Sequence, residues 1–205
     1  REWIDSTWSK LDEKLSKIAI RSREKLPYTS INHIHNDMQK KDVTWWTNGF
    51  WGGMMWLMYV GTGNEEYKKT AERSEELLDK AFEETDTLHH DVGFMWRMTS
   101  GVNYQLTGSE ESRKRLFKAA SYLASRFNVE GGYIRAWNGD YKSERFKQIA
   151  IIDCMMNLSL LYWAGREMDD PRFKQIANAH ADTVMKELVR ENGSPMQTLA
   201  RLKSP

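Results

Sequence analysis

One cysteine, Cys154, stands among 205 residues, which excludes an internal disulfide framework and a zinc–thiolate site. Charge of one sign is missing too. Lys and Arg total 30 against 29 Asp and Glu, and a net charge of +1 is too balanced for an electrostatic binder of nucleic acid. The longest uncharged apolar run, around Gly49 to Gly61, is too short and too rich in glycine to span a bilayer. No basic start followed by an apolar stretch opens the sequence, so no secretory signal is expected. These absences leave a cytoplasmic, soluble globular chain with neither nucleic acid nor membrane as partner. Aromatic residues, by contrast, are plentiful: 9 Trp, 8 Tyr and 7 Phe, with 11 Met besides. Indole rings serve as core residues and as platforms for sugar rings.

The apolar period is helical nearly throughout. Ile4, Trp8, Leu11, Leu15 and Ile18 fall on one stripe of a first helix. A polar loop follows, from Pro27 to about Asn48. A nearly all-apolar second helix is predicted over Phe50 to Val60, stopped by Gly61-Thr-Gly63. Asn64 then caps a third, to about Phe82. The fourth is predicted from His90-Asp91 to Leu106 and the fifth from Glu110 to Phe127. After a loop holding Gly131, Gly132 and Gly139, a sixth starts near Asp153 and ends near Gly165. Pro171 opens the seventh, which runs to about Arg190. No alternating β pattern is longer than Gly132 to Ala136, so the class is all-α.

Three junctions repeat: Asn64 to Ala71, Ser109 to Leu116 and Asp170 to Ala177 each have a cap, a basic residue four places on and an apolar one at seven. Helices one, three, five and seven are charged and amphipathic, whereas two, four and six are apolar on most sides. That alternation describes an outer and an inner ring of helical hairpins. Tight turns join inner to outer helices at one end, and long loops gather at the other. Seven helices cannot close a ring of twelve. The expectation is an incomplete toroid with an uncovered apolar edge, through which the chain self-associates.

The long loops carry the unusual residues: Trp45-Trp46, His89-His90-Asp91, Trp137 and Asp153. Asp91 and Asp153 each stand at the start of an inner helix, where they read either as N-caps or as a general acid/base pair across the mouth. Apolar neighbours such as Val92 and Ile152 make a carboxylate expensive there unless it has a partner or a task. A separation of roughly 5–10 Å between the two carboxyls is expected, the range of glycosidase pairs. His33-x-His35 and His89-His90 lack the i, i+4 spacing of a helical zinc site, so no metal is expected. His180 reads as a packed histidine of the seventh helix, Cys154 as a small buried apolar residue. Trp51 and Trp56 read as core.

Trp46-Thr-Asn-Gly-Phe-Trp51-Gly-Gly-Met-Met-Trp56-Leu, His89-His90-Asp91-Val-Gly-Phe94, Ile134-Arg-Ala-Trp137 and Ile151-Ile-Asp153-Cys-Met-Met-Asn157-Leu occur in one order. Together they resemble the unsaturated glucuronyl hydrolases, glycoside hydrolase family 88. The resemblance covers nearly all of this chain and about the first half of a family member. It implies an (α/α)6 barrel acting on the oligosaccharides that polysaccharide lyases leave, releasing a 4,5-unsaturated uronic acid by hydration of its vinyl ether. It further implies Asp153 as the proton donor, Asp91 as the group that stabilises the cation, and Trp46, His90 and Trp137 as substrate contacts. No metal or organic cofactor is implied.

The tail departs from that pattern. Glu191-Asn-Gly-Ser194 still fits, but Met196-Gln197 stands where the family carries Tyr-His, and Thr198 to Pro205 diverges. Residues 1–190 are therefore expected as the N-terminal half of the barrel domain, and 191–205 as a divergent or truncated tail. The alternative function is a non-catalytic helical fragment that binds sugar or a protein partner.

Overall fold

Gly63 and Gly108 take the left-handed backbone, φ 70° and 73°, that side-chain-bearing residues avoid, and each ends an apolar helix. The next residue then starts a charged helix: the Asn64 side chain accepts from the Glu66 amide, and Ser109 accepts from Ser112. Asp170 repeats the device on the Arg172 amide, with Pro171 as the first helical residue. These stop-and-cap turns divide most of the chain into helical hairpins. The computed structural model describes residues 1–138 and 149–200, the side chains of 199 and 200 excepted; of the glycines in the predicted loop, Gly139 lies outside them.

The helices are α1 (Glu2–Arg21), α2 (Met38–Lys41), α3 (Asn48–Thr62), α4 (Glu65–Leu78), α5 (Val92–Trp96), α6 (Ser100–Thr107), α7 (Glu110–Ser125), α8 (Cys154–Glu167) and α9 (Pro171–Leu188). Inner α3, α6 and α8 pack on outer α4, α7 and α9, and α5 touches α3, α7 and α8. The result is an arc of an inner and an outer layer, an incomplete helical toroid. The apolar member of each repeated junction, Ala71, Leu116 and Ala177, has no exposed surface. One core cluster fills the space among α4, α5, α7, α8 and α9, and a second, with Trp51 and Trp56, lies among α1, α3 and α4. Fully burying aromatics such as Trp56, Trp96 and Tyr67 contributes about 2–3 kcal/mol each.

Three expectations need correction. The predicted fourth helix is broken into α5 and α6, because the Thr99 hydroxyl bonds back to the Met95 carbonyl at 2.7 Å and the chain bends there. The fifth ends at Ser125, and Phe127–Asn128 instead pairs with Tyr133–Ile134. In the polar loop, α2 and a small hairpin, Ser30–Ile31 with Ile34–His35, appear; its turn residues Asn32 and His33 have positive φ.

The tail is tied to the site. Thr198–Ala200 pairs antiparallel with Ile149–Ile151, the segment that leads into Asp153. The Ile152 amide also donates to the Gln197 carbonyl at 3.0 Å.

Close helix approach sets how the inner layer assembles. A Cβ on Gly49 would stand 2.5 Å from Met95 Cα, and one on Gly93 would stand 2.7 Å from Asn157 Cα. Glycine therefore lets α3 meet α5, and α5 meet α8, backbone to backbone. The second approach is the one that brings Asp91 to Asp153.

Candidate active site

Both aspartates occupy N-cap positions, Asp91 before α5 and Asp153 before α8, yet neither side chain makes the capping hydrogen bond. The capping reading therefore leaves their oxygens unaccounted for. His90 Nε2 lies 3.5 Å from Asp91 Oδ1 and 4.0 Å from Asp153 Oδ1. One oxygen of each carboxyl and a ring nitrogen of His90 all fall within 4.8 Å of one another. The nearest oxygens of the two carboxyls thus lie within 4.8 Å, close to the lower end of the expected range.

Their environments differ. Asp91 is buried, which pushes its pKa up, but the His89 hydrogen bond, the charges of His90 and His89 and the Asn157 amide outweigh burial and bring it below the usual value. His89 Nδ1 stands 3.0 Å from Asp91 Oδ2. Asp153 is pushed up to about 6, first by desolvation and then by the Asp91 charge, against the pull of the Cys154 amide. Its side chain is nonetheless 48% exposed, so water and solutes reach it. Burial lowers His90 to about 4, leaving it a neutral imidazole at physiological pH. Two neighbouring carboxyls with pKa values driven apart are the mark of an acid and a charge stabiliser.

A cavity of about 780 Å³ opens beside Asp91, within the range of small-ligand sites. Trp46, Trp137, His89 and Asp91 line one part of it, and Lys40, Lys41, Thr44 and Glu84 another. Trp46 and Trp137 are each 37% exposed, as sugar platforms must be. Trp46 is held edge-on by Phe50 and Phe94, ring centroids 5.6 and 5.9 Å away. Trp45, the other indole in that loop, packs against Tyr28. His90 does not line the cavity: it has no exposed surface and stands behind Asp91, while His89 faces the opening.

The remaining sequence expectations fall away from this centre. His180 is buried on α9, where its Nδ1 accepts from the Ile134 amide at 3.0 Å. Cys154 is buried, and burial raises its thiol well above the ordinary range. His35 bonds to Ser22, at the base of the small hairpin. Among the described residues, His90, Asp91 and Asp153 are the three-donor group with spacing to hold a metal ion. Two residues had no role assigned from sequence. Asn157, quoted only as part of a motif, accepts from the Phe94 amide at 2.9 Å and joins α8 to α5. Arg126 reads as one more charge on an amphipathic helix, but it is buried behind the site.

No protein-family model matches the chain. It is 39% identical over 173 residues to the unsaturated glucuronyl hydrolase of Bacillus sp. (strain GL1), covering 81% of this chain and 45% of that protein. It is 34% identical over 158 residues to the unsaturated chondroitin disaccharide hydrolase of Streptococcus pneumoniae, covering 77% of this chain and 39% of the relative. The crystal structure of the Bacillus sp. GL1 enzyme, described as responsible for the degradation of glycosaminoglycan, superimposes with a TM-score of 0.78 at 31% identity, over 94% of this chain and 52% of that one. The chain thus spans about half the length of the curated relatives it matches. In sequence and in fold it is a relative of the unsaturated glucuronyl hydrolases.

Proposed function

We propose, from that relationship, that the chain carries the acid pair of a glycoside hydrolase that releases a 4,5-unsaturated uronic acid from the non-reducing end of lyase-generated oligosaccharides. One observation carries the reading. Asp91, which lines the cleft, and Asp153, next to it, stand side by side with pKa values moved in opposite directions. The curated relatives named for unsaturated glucuronyl or chondroitin disaccharide substrates support it.

In this reading Asp153 transfers its proton to C4 of the vinyl ether. The π electrons form the new C–H bond, and positive charge develops at C5 and the ring oxygen. The Asp91 carboxylate stabilises that cation electrostatically. Asp153, now a carboxylate, accepts a proton from water as its oxygen bonds to C5. The resulting hemiketal opens and expels the remaining sugar as an alcohol. Trp46 and Trp137 stack the sugar rings, and His90, neutral and buried, supports Asp91. No metal and no organic cofactor enters a step. Residues 1–190 supply the N-terminal half of an (α/α)6 barrel and 191–205 a tail of its own pattern, in a cytoplasmic setting. Self-association through the exposed α3 face belongs to the same proposal. The test is loss of the ultraviolet absorbance of the conjugated double bond in unsaturated chondroitin disaccharide, compared with Asp153→Asn and Asp91→Asn. Loss of absorbance in the parent alone supports the reading, and equal loss in all three overturns it.

The second reading is sugar binding without turnover. It is favoured by the exposure of the Asp153 carboxyl, which stands about half in water. Disaccharide binding with unchanged absorbance would identify it.

A further inference from the structure

Arg126 follows α7 directly and is only 5% exposed. Its hydrogen-bond partners are not acids. Its Nε donates to the Arg135 carbonyl at 2.8 Å and its Nη2 to the Ala136 carbonyl at 3.0 Å. Its Nη1 reaches Asn138 Oδ1 at 2.7 Å, the Tyr122 hydroxyl at 3.1 Å and the Leu88 carbonyl at 3.3 Å. Among the described residues no carboxylate stands within ion-pair distance of it. Burying a guanidinium is costly, and here carbonyl dipoles, with the Tyr122 hydroxyl and ring, offset that cost.

The carbonyls belong to two segments far apart in sequence. Leu88 leads into His89, His90 and Asp91, and Ala136 precedes Trp137. Further bonds converge on the same joint. The His90 amide donates to the Ala136 carbonyl at 3.2 Å, and Asn138 Nδ2 donates to the Leu88 carbonyl at 2.8 Å. A planar fork with five N–H groups can bind several carbonyls in fixed directions; a lysine ammonium cannot.

We propose that Arg126 is a positioning residue, which sets the distance of the Trp137 platform from the Asp91 carboxylate by clamping the two segments that carry them. Its importance for turnover rests on the hydrolase reading above; the clamp itself does not.

Hydrogen exchange of backbone amides in the parent, Arg126→Lys and Arg126→Gln tests it. In both variants exchange in segments 86–91 and 134–138 is expected to rise about tenfold or more, with the amides of α3 and α4 unchanged. Lysine keeps the charge but not the fork, so protection restored by Arg126→Lys would overturn a geometric clamp. Exchange rising alike in all helices would mark a residue that merely stabilises the fold, and no rise in the two segments would also overturn the proposal. If the Gln variant does not fold, Asn138→Ala removes one partner and is expected to raise exchange in the same two segments by a smaller factor. Titration with unsaturated chondroitin disaccharide forms the second arm, with affinity in Arg126→Lys expected to fall about tenfold. A parent that binds no disaccharide but shows the local exchange pattern would sink the functional reading and leave the clamp standing.

Discussion

At the scale of single residues, Asp153 couples function to stability with opposite signs. Its carboxyl titrates near 6 in the folded chain against an ordinary value of 3.8. Between those values the folded state holds the extra proton, so this group's contribution to stability falls as pH rises through that window and stays low above it. A shift of this size on a fully buried group would amount to about 3 kcal/mol, but the side chain is half exposed and water screening reduces it to about 1 kcal/mol. Asp153→Asn is therefore expected to raise the unfolding free energy by about 1 kcal/mol near neutral pH and by almost nothing near pH 4, in urea titrations. His90 and His180, buried and lowered to about 4, pull the other way, because stability is lost as falling pH charges them in the unfolded chain. The test is therefore the difference between parent and variant at each pH. In the proposed mechanism the same substitution removes the proton donor, and turnover is expected to fall by about 10²–10⁴. The kcat profile of the parent should fall as pH rises through about 6, where Asp153 loses its proton, and hold on the acid side until Asp91 is protonated below the usual carboxylate value.

Between elements, the inner layer depends on two glycines that belong to the same sequence motifs as the site. Gly93→Ala would press a methyl group into the backbone and side chain of Asn157, so α5 and α8 must separate. Overpacking of this kind costs about 1–3 kcal/mol. Because those helices present Asp91 and Asp153, kcat on unsaturated chondroitin disaccharide is expected to fall by more than the lost stability alone implies. A variant destabilised in urea but fully active would mean that helix spacing does not set the acid pair. Much of this layer was legible in the chain. Asn64, Ser109 and Asp170 were read as caps from local chemistry, and each accepts the amide expected of it. The motifs name Asp91, Asp153, Trp46 and Trp137; Trp46, Trp137 and Asp91 line one cavity, and Asp153 lies next to Asp91. Non-local features were not legible. The pairing of Ile149–Ile151 with Thr198–Ala200 joins segments almost fifty residues apart and leaves no periodic signal. The break at Thr99 needs a side-chain hydroxyl to compete with the helix, which hydrophobic spacing does not record. Arg126 has the charge of a solvent-facing residue, and only the carbonyls gathered around it explain its burial.

For the molecule as a whole, the arc leaves one apolar face open. Phe50, Met54, Leu57 and Val60 repeat at helical spacing along α3 and are exposed to 38%, 43%, 69% and 63%. Trp46, edge-on to Phe50, extends this apolar surface, the kind of exposed patch that favours association. The Asp153 side chain stands half in water, where solvent weakens each electrostatic contact that would stabilise a cation in the proposed reaction. Both effects follow from an inner layer that stands open to solvent. They should therefore appear together in this 205-residue chain: association that grows with concentration, and turnover below about 1 per second. Light scattering and the absorbance assay on the same sample measure the two. Met54→Lys with Leu57→Lys places charge on the open face away from the acid pair, so it is expected to disperse the chain without restoring turnover, because it adds no wall to the cleft. A monomeric parent that turns over disaccharide at ordinary enzyme rates, with activity abolished in Asp153→Asn, would show that the arc by itself excludes enough water for the reaction and that the open face is no handicap.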